Sequence, residues 1–276
     1  MSRIDLHTHT DRSDGTFTPA QLVRLAAERD IDVIAITDHD TTEALEEGRT
    51  AGTSAGVHVV PGVELSAEHD RRSVHVLAYW VDVDDRAFQS ELRRLRDQRL
   101  RRGELMVERL ADLGVPVPWE RVLEIARGGN VVRPHVAQAL VEAGHVESEE
   151  EAFDVWIGDD GPAVIAKHAL APVDAVRLIR EAGGAAVVAH PGMWDGEAPL
   201  PPDLIELMAG AGLAGLEVEH SDHTPEQRER YRALAEQLGL VPTGGSDCHG
   251  TRYDPIRLGG ALCAPDDFAA LRERAR

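Results

Sequence analysis

A chain of 276 residues that is 42% hydrophobic, 28% charged and only 4% aromatic is long enough to bury one large, mostly aliphatic α/β core. Its formal net charge of -20 repels long polyanions, which excludes an extended duplex nucleic acid as partner but leaves room for a small phosphorylated substrate held by local cations. Two cysteines, Cys248 and Cys263, give no disulfide framework, and no apolar run approaches the ~18 residues of a membrane span, so neither a secreted scaffold nor a membrane protein is expected.

The start, Met1-Ser2-Arg3-Ile4-Asp5, runs directly into the first motif and leaves no room for a signal peptide, so the cytoplasm is the expected location. From there, apolar runs alternate with helical patterns, as in βα units. A first strand is predicted over Arg3 to Leu6, then a helix over Ala20 to Arg29 with Thr18 as N-cap and Pro19 in its first turn. Strand two, Val33 to Ile36, ends in Thr37-Asp38-His39-Asp40, and a helix follows over Thr42 to Ala51. Strand three, Val57 to Val63, ends at Glu64; strand four, Ser73 to Tyr79, carries His75. The rhythm then changes. Residues 85–160 show long charged helical patterns broken by Pro116, Pro118, Gly128 and Gly129, and they read as an α-helical insert in a barrel built from 1–84 and 161–276. The βα pattern returns with a helix over Pro172 to Ala182. Strand Ala185 to Ala189 ends in His190-Pro191, and strand Leu213 to Val218 ends in Glu219-His220. A helix over Pro225 to Leu238 and a strand over Leu240 to Thr243 complete about seven βα-type strands.

In a strand, residues two apart share a face, so His7 and His9 project together, with Asp14 shortly after. His7, His9, His39, Glu64, His190, Asp247 and His249 all fall at or just beyond the C-terminal end of a predicted strand, and His75 lies within one. That rim is where βα barrels build their sites. Imidazole and carboxylate are transition-metal ligands. Taken singly, each has a bland reading: a satisfied core histidine, a strand end before proline for His190, a turn cap for Asp247. Convergence from five strands points instead to a metal centre. Asp38 and Asp40 read as helix caps outside it.

Arg133, in Val132-Arg133-Pro134-His135, stands beside a helix N-terminus and is the best candidate outside the barrel to grip a phosphate, although on residues alone an exposed surface arginine is the favoured reading. Lys167 is the only lysine in the chain. His220 and His223 follow a strand end and can protonate a leaving oxygen, or merely support the site. The arginines of 93–102 alternate with Glu91, Asp97 and Glu104 at helical spacing and read as a solvated helix face. His58, His69 and His145 read as surface residues.

Together, Asp5-Leu6-His7-Thr8-His9, Ser13-Asp14-Gly15, Thr37-Asp38-His39, Gly62-Val63-Glu64, His75, Ala189-His190-Pro191 and Ser246-Asp247-Cys248-His249-Gly250 resemble, in order and over nearly the whole chain, the motifs of the PHP (polymerase and histidinol phosphatase) superfamily of phosphoesterases. The resemblance implies a distorted (β/α)7 barrel with a trinuclear site. On that pattern His7, His9, Glu64 and Asp247 hold one metal, Glu64 bridges to a second held by His75 and His190, and Asp14, His39 and His249 hold a third. Such mixed shells suit Mn²⁺, Fe²⁺ or Zn²⁺ rather than Mg²⁺ or Ca²⁺.

The insert after His75 resembles that of the subgroup that hydrolyses nucleoside 3′,5′-bisphosphates and trims short oligoribonucleotides. This implies that the insert caps the active site and that Arg133 and Lys167 hold substrate phosphate, with His135 a weaker third contact. The expected activity is hydrolysis of a phosphomonoester, the 3′-phosphate of a nucleoside 3′,5′-bisphosphate, by a metal-activated water. No Ser or Cys sits beside a base in these motifs, and Cys248 points away from its neighbours if the segment is extended. The alternatives are a histidinol-phosphate phosphatase on the same barrel and a non-catalytic, metal-stabilised binding module.

Overall fold

The computed structural model describes residues 2–70, 72–126, 131–158, 160–165, 170–193 and 199–276. Seven strands form one sheet in chain order: β1 (Ile4–Thr8), β2 (Val33–Ile36), β3 (His58–His69), β4 (Arg72–Tyr79), β5 (Ala185–Val188), β6 (Gly215–His220) and β7 (Val241–Gly245). β2 and β5 are apolar along their whole length because both of their faces are covered, as parallel strands require. The sheet curls until its ends meet. Thr8 bridges Cys248 just past β7, and the His9 N–H donates to the Cys248 carbonyl at 2.9 Å. Gly245 permits this approach, since a Cβ there would stand 2.3 Å from Cβ of His7. The nearly closed barrel is the fold expected from the sequence.

It differs from a regular βα barrel at β4. β1 to β3 are mutually parallel, as are β5 to β7, but β4 runs antiparallel to both β3 and β5. The span between Val63 and Ser73 is too short for a helical crossover, so β3 continues past Glu64 to His69 and doubles back. Glu64 is therefore mid-strand rather than at a strand end. It is still level with the rim, because the shorter β2 stops opposite Pro61 and His39 bridges Glu64. β1 and β6 are irregular, between Asp5 and Thr8 and between Glu217 and Glu219, and such bulges re-aim side chains.

Helices α1 (Pro19–Glu28), α2 (Leu45–Ala55), α7 (Pro172–Glu181), α8 (Pro202–Gly210), α9 (Pro225–Leu238) and α10 (Pro265–Arg274) surround the sheet. Thr18 caps α1 and Thr224 caps α9, each in a reciprocal box with the glutamine three residues on. α8 and α10 go beyond the predicted elements: both are short, and α10 buries only Leu271.

The helical stretch comprises α3 (Arg86–Asp112), α4 (Trp119–Ile125), α5 (Arg133–Glu142) and α6 (Glu149–Ala152), which runs into a π-helical turn at Phe153–Ile157. α3 is rooted in two cores. Phe88 and Leu92 pack with barrel residues such as Val63 and Ile179, whereas Met106 and Leu110 pack with Val122, Leu140 and Ile157 of the other helices. Burying each such side chain contributes about 1.5–3 kcal/mol.

The arginines of α3 are not a uniformly solvated face. Arg99 follows Leu92 and Leu95 on the side that meets the barrel, and its Nε donates to Asp40 Oδ2 at 2.6 Å. Arg96 donates to the Asp40 carbonyl at 2.9 Å, while Arg94 and Arg101 make surface pairs with Glu91 and Glu104. Among the described residues no helix is long and apolar enough to cross a membrane.

Candidate metal centre

β1 and the residue after it present His7 and His9 on one side, as their spacing requires. Their Nε2 atoms lie 3.5 and 3.2 Å from Glu64 Oε2, and each lies 3.3 Å from Asp247 Oδ1. The loop after β1 brings in Asp14, whose Oδ1 is 3.3 Å from His249 Nε2 and whose Oδ2 is 3.8 Å from His39 Nε2. Asp38 pins that loop by accepting from Thr10 N at 2.7 Å, Thr10 Oγ1 at 2.6 Å and Ser13 Oγ at 2.6 Å. It is thus a loop anchor, not the helix cap predicted, because α2 starts only at Leu45. Asp40 likewise caps nothing: its carboxylate accepts from Ser66 N and Oγ, each at 2.8 Å, and from Arg99.

Glu64 stands in the middle. Its Oε1 lies 2.9 Å from His75 Nδ1 and 3.2 Å from His190 Nε2, while Oε2 faces His7, His9 and, at 3.1 Å, His39 Nδ1. A carboxylate whose oxygens face separate imidazole sets is placed to bridge two cations. Three of the four compact donor groups among the described residues meet here: His9, Asp14, His39 and His249; His7, His9 and Asp247; and His39, Glu64 and His75, each with ligand atoms within 4.8 Å of one another. His190 joins the last through Glu64 alone. Every predicted metal ligand is thereby brought to one place.

The electrostatics are those of buried acids and bases held together. Burial opposes charge on Asp14, Glu64 and Asp247, yet the surrounding imidazoles hold all three carboxyls well below their usual range. Burial also opposes charge on His7 and His9. Glu217, Asp247 and Glu64 still raise His7 well above its ordinary value, and Asp247 and Glu64 raise His9 to about 10. Burial wins at His39, whose pKa drops to about 3 and leaves a neutral imidazole.

Divalent cations fit this donor set. Nε2 of His7, of His9 and of His220 are buried and complete no hydrogen bond among the described residues. A buried polar atom left so costs about 1–3 kcal/mol. For His7 and His9 a cation between them and the facing carboxylates would remove that cost, and His39 is already a neutral imidazole with a lone pair on one nitrogen.

Of the predicted phosphate ligands, Arg133 opens α5 and lines a cavity of about 180 Å³ together with His75 and His190. Its guanidinium lies 5.5 Å from the Phe153 ring. His135 is buried, with Nδ1 accepting from Val132 N at 3.2 Å as a cap for α5. Burial takes its pKa down to about 4. Lys167, with His168, lies outside the described residues. Cys248 points away from the centre, as predicted, and packs among Leu22, Val23 and Ile34.

Sequence reasoning missed Glu217, which is 1% exposed and accepts from His7 Nδ1 at 3.0 Å. The available signal was an acidic residue inside an otherwise apolar strand. It also missed Arg252, which donates to the Asp14 carbonyl at 2.7 Å and to Glu149 of α6 at 2.8 Å.

The sequence profile of the PHP domain matches residues 5–113. The chain is 34% identical over 247 residues to the 5′-3′ exoribonuclease Rnm of Salmonella typhimurium, covering 89% of this chain and 84% of the relative. It is 32% identical to the 3′,5′-nucleoside bisphosphate phosphatase of Chromobacterium violaceum, over 90% of this chain and 88% of that one. It is 36% identical to a phosphoribosyl 1,2-cyclic phosphate 1,2-diphosphodiesterase of Eggerthella lenta, over 89% of this chain and 94% of that one. A solved structure from Bifidobacterium adolescentis, assigned as a metal-dependent phosphoesterase, superposes with a TM-score of 0.92 at 34% identity, covering 100% of this chain and 97% of that one. Fold, donor set and relatives together define a metal-dependent phosphoesterase, a hydrolase and not a mere binding module. The chain belongs to the PHP family.

Proposed function

We propose that the chain removes the 3′-phosphate of nucleoside 3′,5′-bisphosphates and also trims short 5′-phosphorylated oligoribonucleotides. The observation that carries this reading is the place of Arg133 in the wall of the cavity that holds His75 and His190. A guanidinium there can grip one phosphate of a substrate while another meets the metal ligands. Relatives named for bisphosphates and for RNA agree with it. Lys167 is proposed as a second phosphate ligand, and His135 as a helix cap without substrate contact. Histidinol phosphate has no second phosphate, and its amine would meet Arg133. The Eggerthella lenta relative favours a second reading, the opening of a cyclic phosphate diester at the same centre.

Three divalent ions, Mn²⁺, Fe²⁺ or Zn²⁺, are proposed: one on His7, His9, Glu64 and Asp247, one on Glu64, His75 and His190, and one on Asp14, His39 and His249. When bound, such ions activate water and offset charge on the phosphoryl oxygens. Glu64 offers one oxygen to each of two imidazole sets, and Arg133 orients the phosphate. Neither Ser13 nor Cys248 is set up as nucleophile: Ser13 Oγ is spent on Asp38, and burial raises the Cys248 thiol to about 11. Residues 85–160 are proposed as the cap, supported by their separate core and by the Arg99–Asp40 and Arg252–Glu149 contacts. A cytoplasmic location and the absence of a duplex partner complete the proposal, in keeping with two buried thiols and a charge of -20.

The test is phosphate release, with Mn²⁺ supplied, from adenosine 3′,5′-bisphosphate, a short 5′-phosphorylated RNA, histidinol phosphate, a cyclic ribosyl phosphate and an aryl phosphate. Preference for the bisphosphate with slower RNA trimming supports the reading. Preference for histidinol phosphate keeps the centre but overturns the pocket, and preference for the cyclic substrate favours the second reading.

A further inference from the structure

Two side chains that face the centre, His190 and Asp247, stand on left-handed backbone, at φ 27° and 53°. Such φ at a residue other than glycine costs of order 1–3 kcal/mol and persists only where the surroundings hold it. His190 is held from the neighbouring strand β6, which supplies none of the proposed ligands.

Glu217 spends both oxygens. Oε1 accepts from His7 Nδ1 at 3.0 Å, and Oε2 accepts from the backbone N–H of His190 at 2.7 Å. His223, just beyond β6, donates through Nδ1 to the Val218 carbonyl at 2.9 Å. Its Nε2 is then free to accept from the Gly192 N–H at 3.2 Å, two residues after His190. A Cβ at Gly192 would stand 2.8 Å from His223 Cδ2, so the contact requires glycine. His220 accepts from the Asp222 N–H through Nδ1 at 3.2 Å, which puts the proton of the neutral ring on Nε2, 3.6 Å from Asp247 Oδ2.

We propose that Glu217 is a positioning residue of the centre, backed by His223. It fixes His7 with its proton on Nδ1, so that Nε2 offers a lone pair inward, and it holds His190 in its strained conformation. His7, Glu217 and His220 are close enough to form a donor group themselves. A cation held there through His7 Nδ1 would displace the hydrogen bond that Glu217 accepts from it, so the orienting role is the one the observed bonds support. Both nitrogens of His223 are engaged in these bonds, which suits a positioning role. Partners of this kind set the tautomer and direction of a ligand imidazole, and losing one typically weakens metal binding 10–100-fold.

The inference rests on the proposed metal ligands, and calorimetric titration of Mn²⁺ into chelator-treated protein separates the two. Wild type that binds no Mn²⁺ sinks both. In Glu217→Gln the amide can accept from only one of the two donors, so Mn²⁺ affinity should fall 10–100-fold, with kcat reduced and substrate KM unchanged. Wild-type affinity in Glu217→Gln would overturn the positioning role alone. Should that variant not fold, His223→Gln and His223→Phe decide. Glutamine can still accept from the Gly192 N–H and should keep Mn²⁺ affinity, whereas phenylalanine should lose about ten-fold. Equal behaviour of the two overturns the proposal.

Discussion

Arg99 of α3 reaches Asp40, one residue from His39, with 2.6 Å between Nε and Oδ2, and the two side chains are 14% and 0% exposed. Removing one partner of such a pair leaves the other charge buried. Arg99→Met should therefore lose about 3–5 kcal/mol in urea denaturation. The double variant Arg99→Met with Asp40→Asn should recover much of it, since asparagine tolerates the left-handed backbone at this position, φ 52°. A loss below about 1 kcal/mol would mean the pair behaves as a surface contact.

Acid–base behaviour should differ between the metal-free and loaded protein. Without metal, His7 and His9 keep their protons past neutrality, His9 up to about 10. A metal takes the imidazole nitrogen without its proton, so binding at pH 7 should release protons and tighten as pH rises. Calorimetry in two buffers of different ionisation enthalpy reads this directly, and zero net release would refute it.

The same groups govern stability. His9 is raised, so its contribution is complete below the ordinary value of 6.5 and is lost as pH climbs toward about 10. Asp14 is depressed, so its contribution is complete above 3.8 and is lost on acidification below that. His39 and His135, which burial depresses to about 3 and about 4, oppose folding below 6.5, so chelator-treated protein should melt highest near pH 6.5. A Tm that rises from pH 6.5 to 9 without metal contradicts the assignment.

Arg133→Ala should raise KM for a nucleoside bisphosphate by about 10–100-fold, the worth of a charge-assisted contact of about 1.5–3 kcal/mol. KM for an aryl phosphate should change little. Equal effects on both substrates would take Arg133 out of substrate recognition.

Asp247→Asn keeps the left-handed backbone while removing the charge that faces His7, His9 and His249. Turnover should fall by about three orders of magnitude, and metal content should drop with unchanged circular dichroism. Full metal content with full activity would remove Asp247 from the centre.

The rim of the barrel could be read from the chain because its chemistry is rare and its spacing regular. His7 and His9 follow a strand period, and His39, His190 and His249 each come within a few residues of the end of a predicted strand. What remained hidden depends on partners far away in sequence. Nothing near Glu217 announces that it meets His7, 210 residues earlier. Arg99 looks like any other arginine of a charged helix until the helix is laid on Asp40. The hairpin of β3 and β4 was missed because Glu64 ends an apolar run without ending its strand. Glu64 and His75, singled out from the sequence, nonetheless meet at 2.9 Å, since the alternation that places them toward the centre is local.

Tyr79 and Ala185 are register partners on β4 and β5. The chain thus leaves the barrel and returns to it at neighbouring points, with all of α3 to α7 hung between them. Lengthening a connection whose ends already touch adds little entropic penalty, roughly 0.6 kcal/mol per doubling. Descendants of this sequence can therefore rewrite residues 85–160 and, on the capping role proposed above, what the enzyme accepts, while inheriting the rim unchanged.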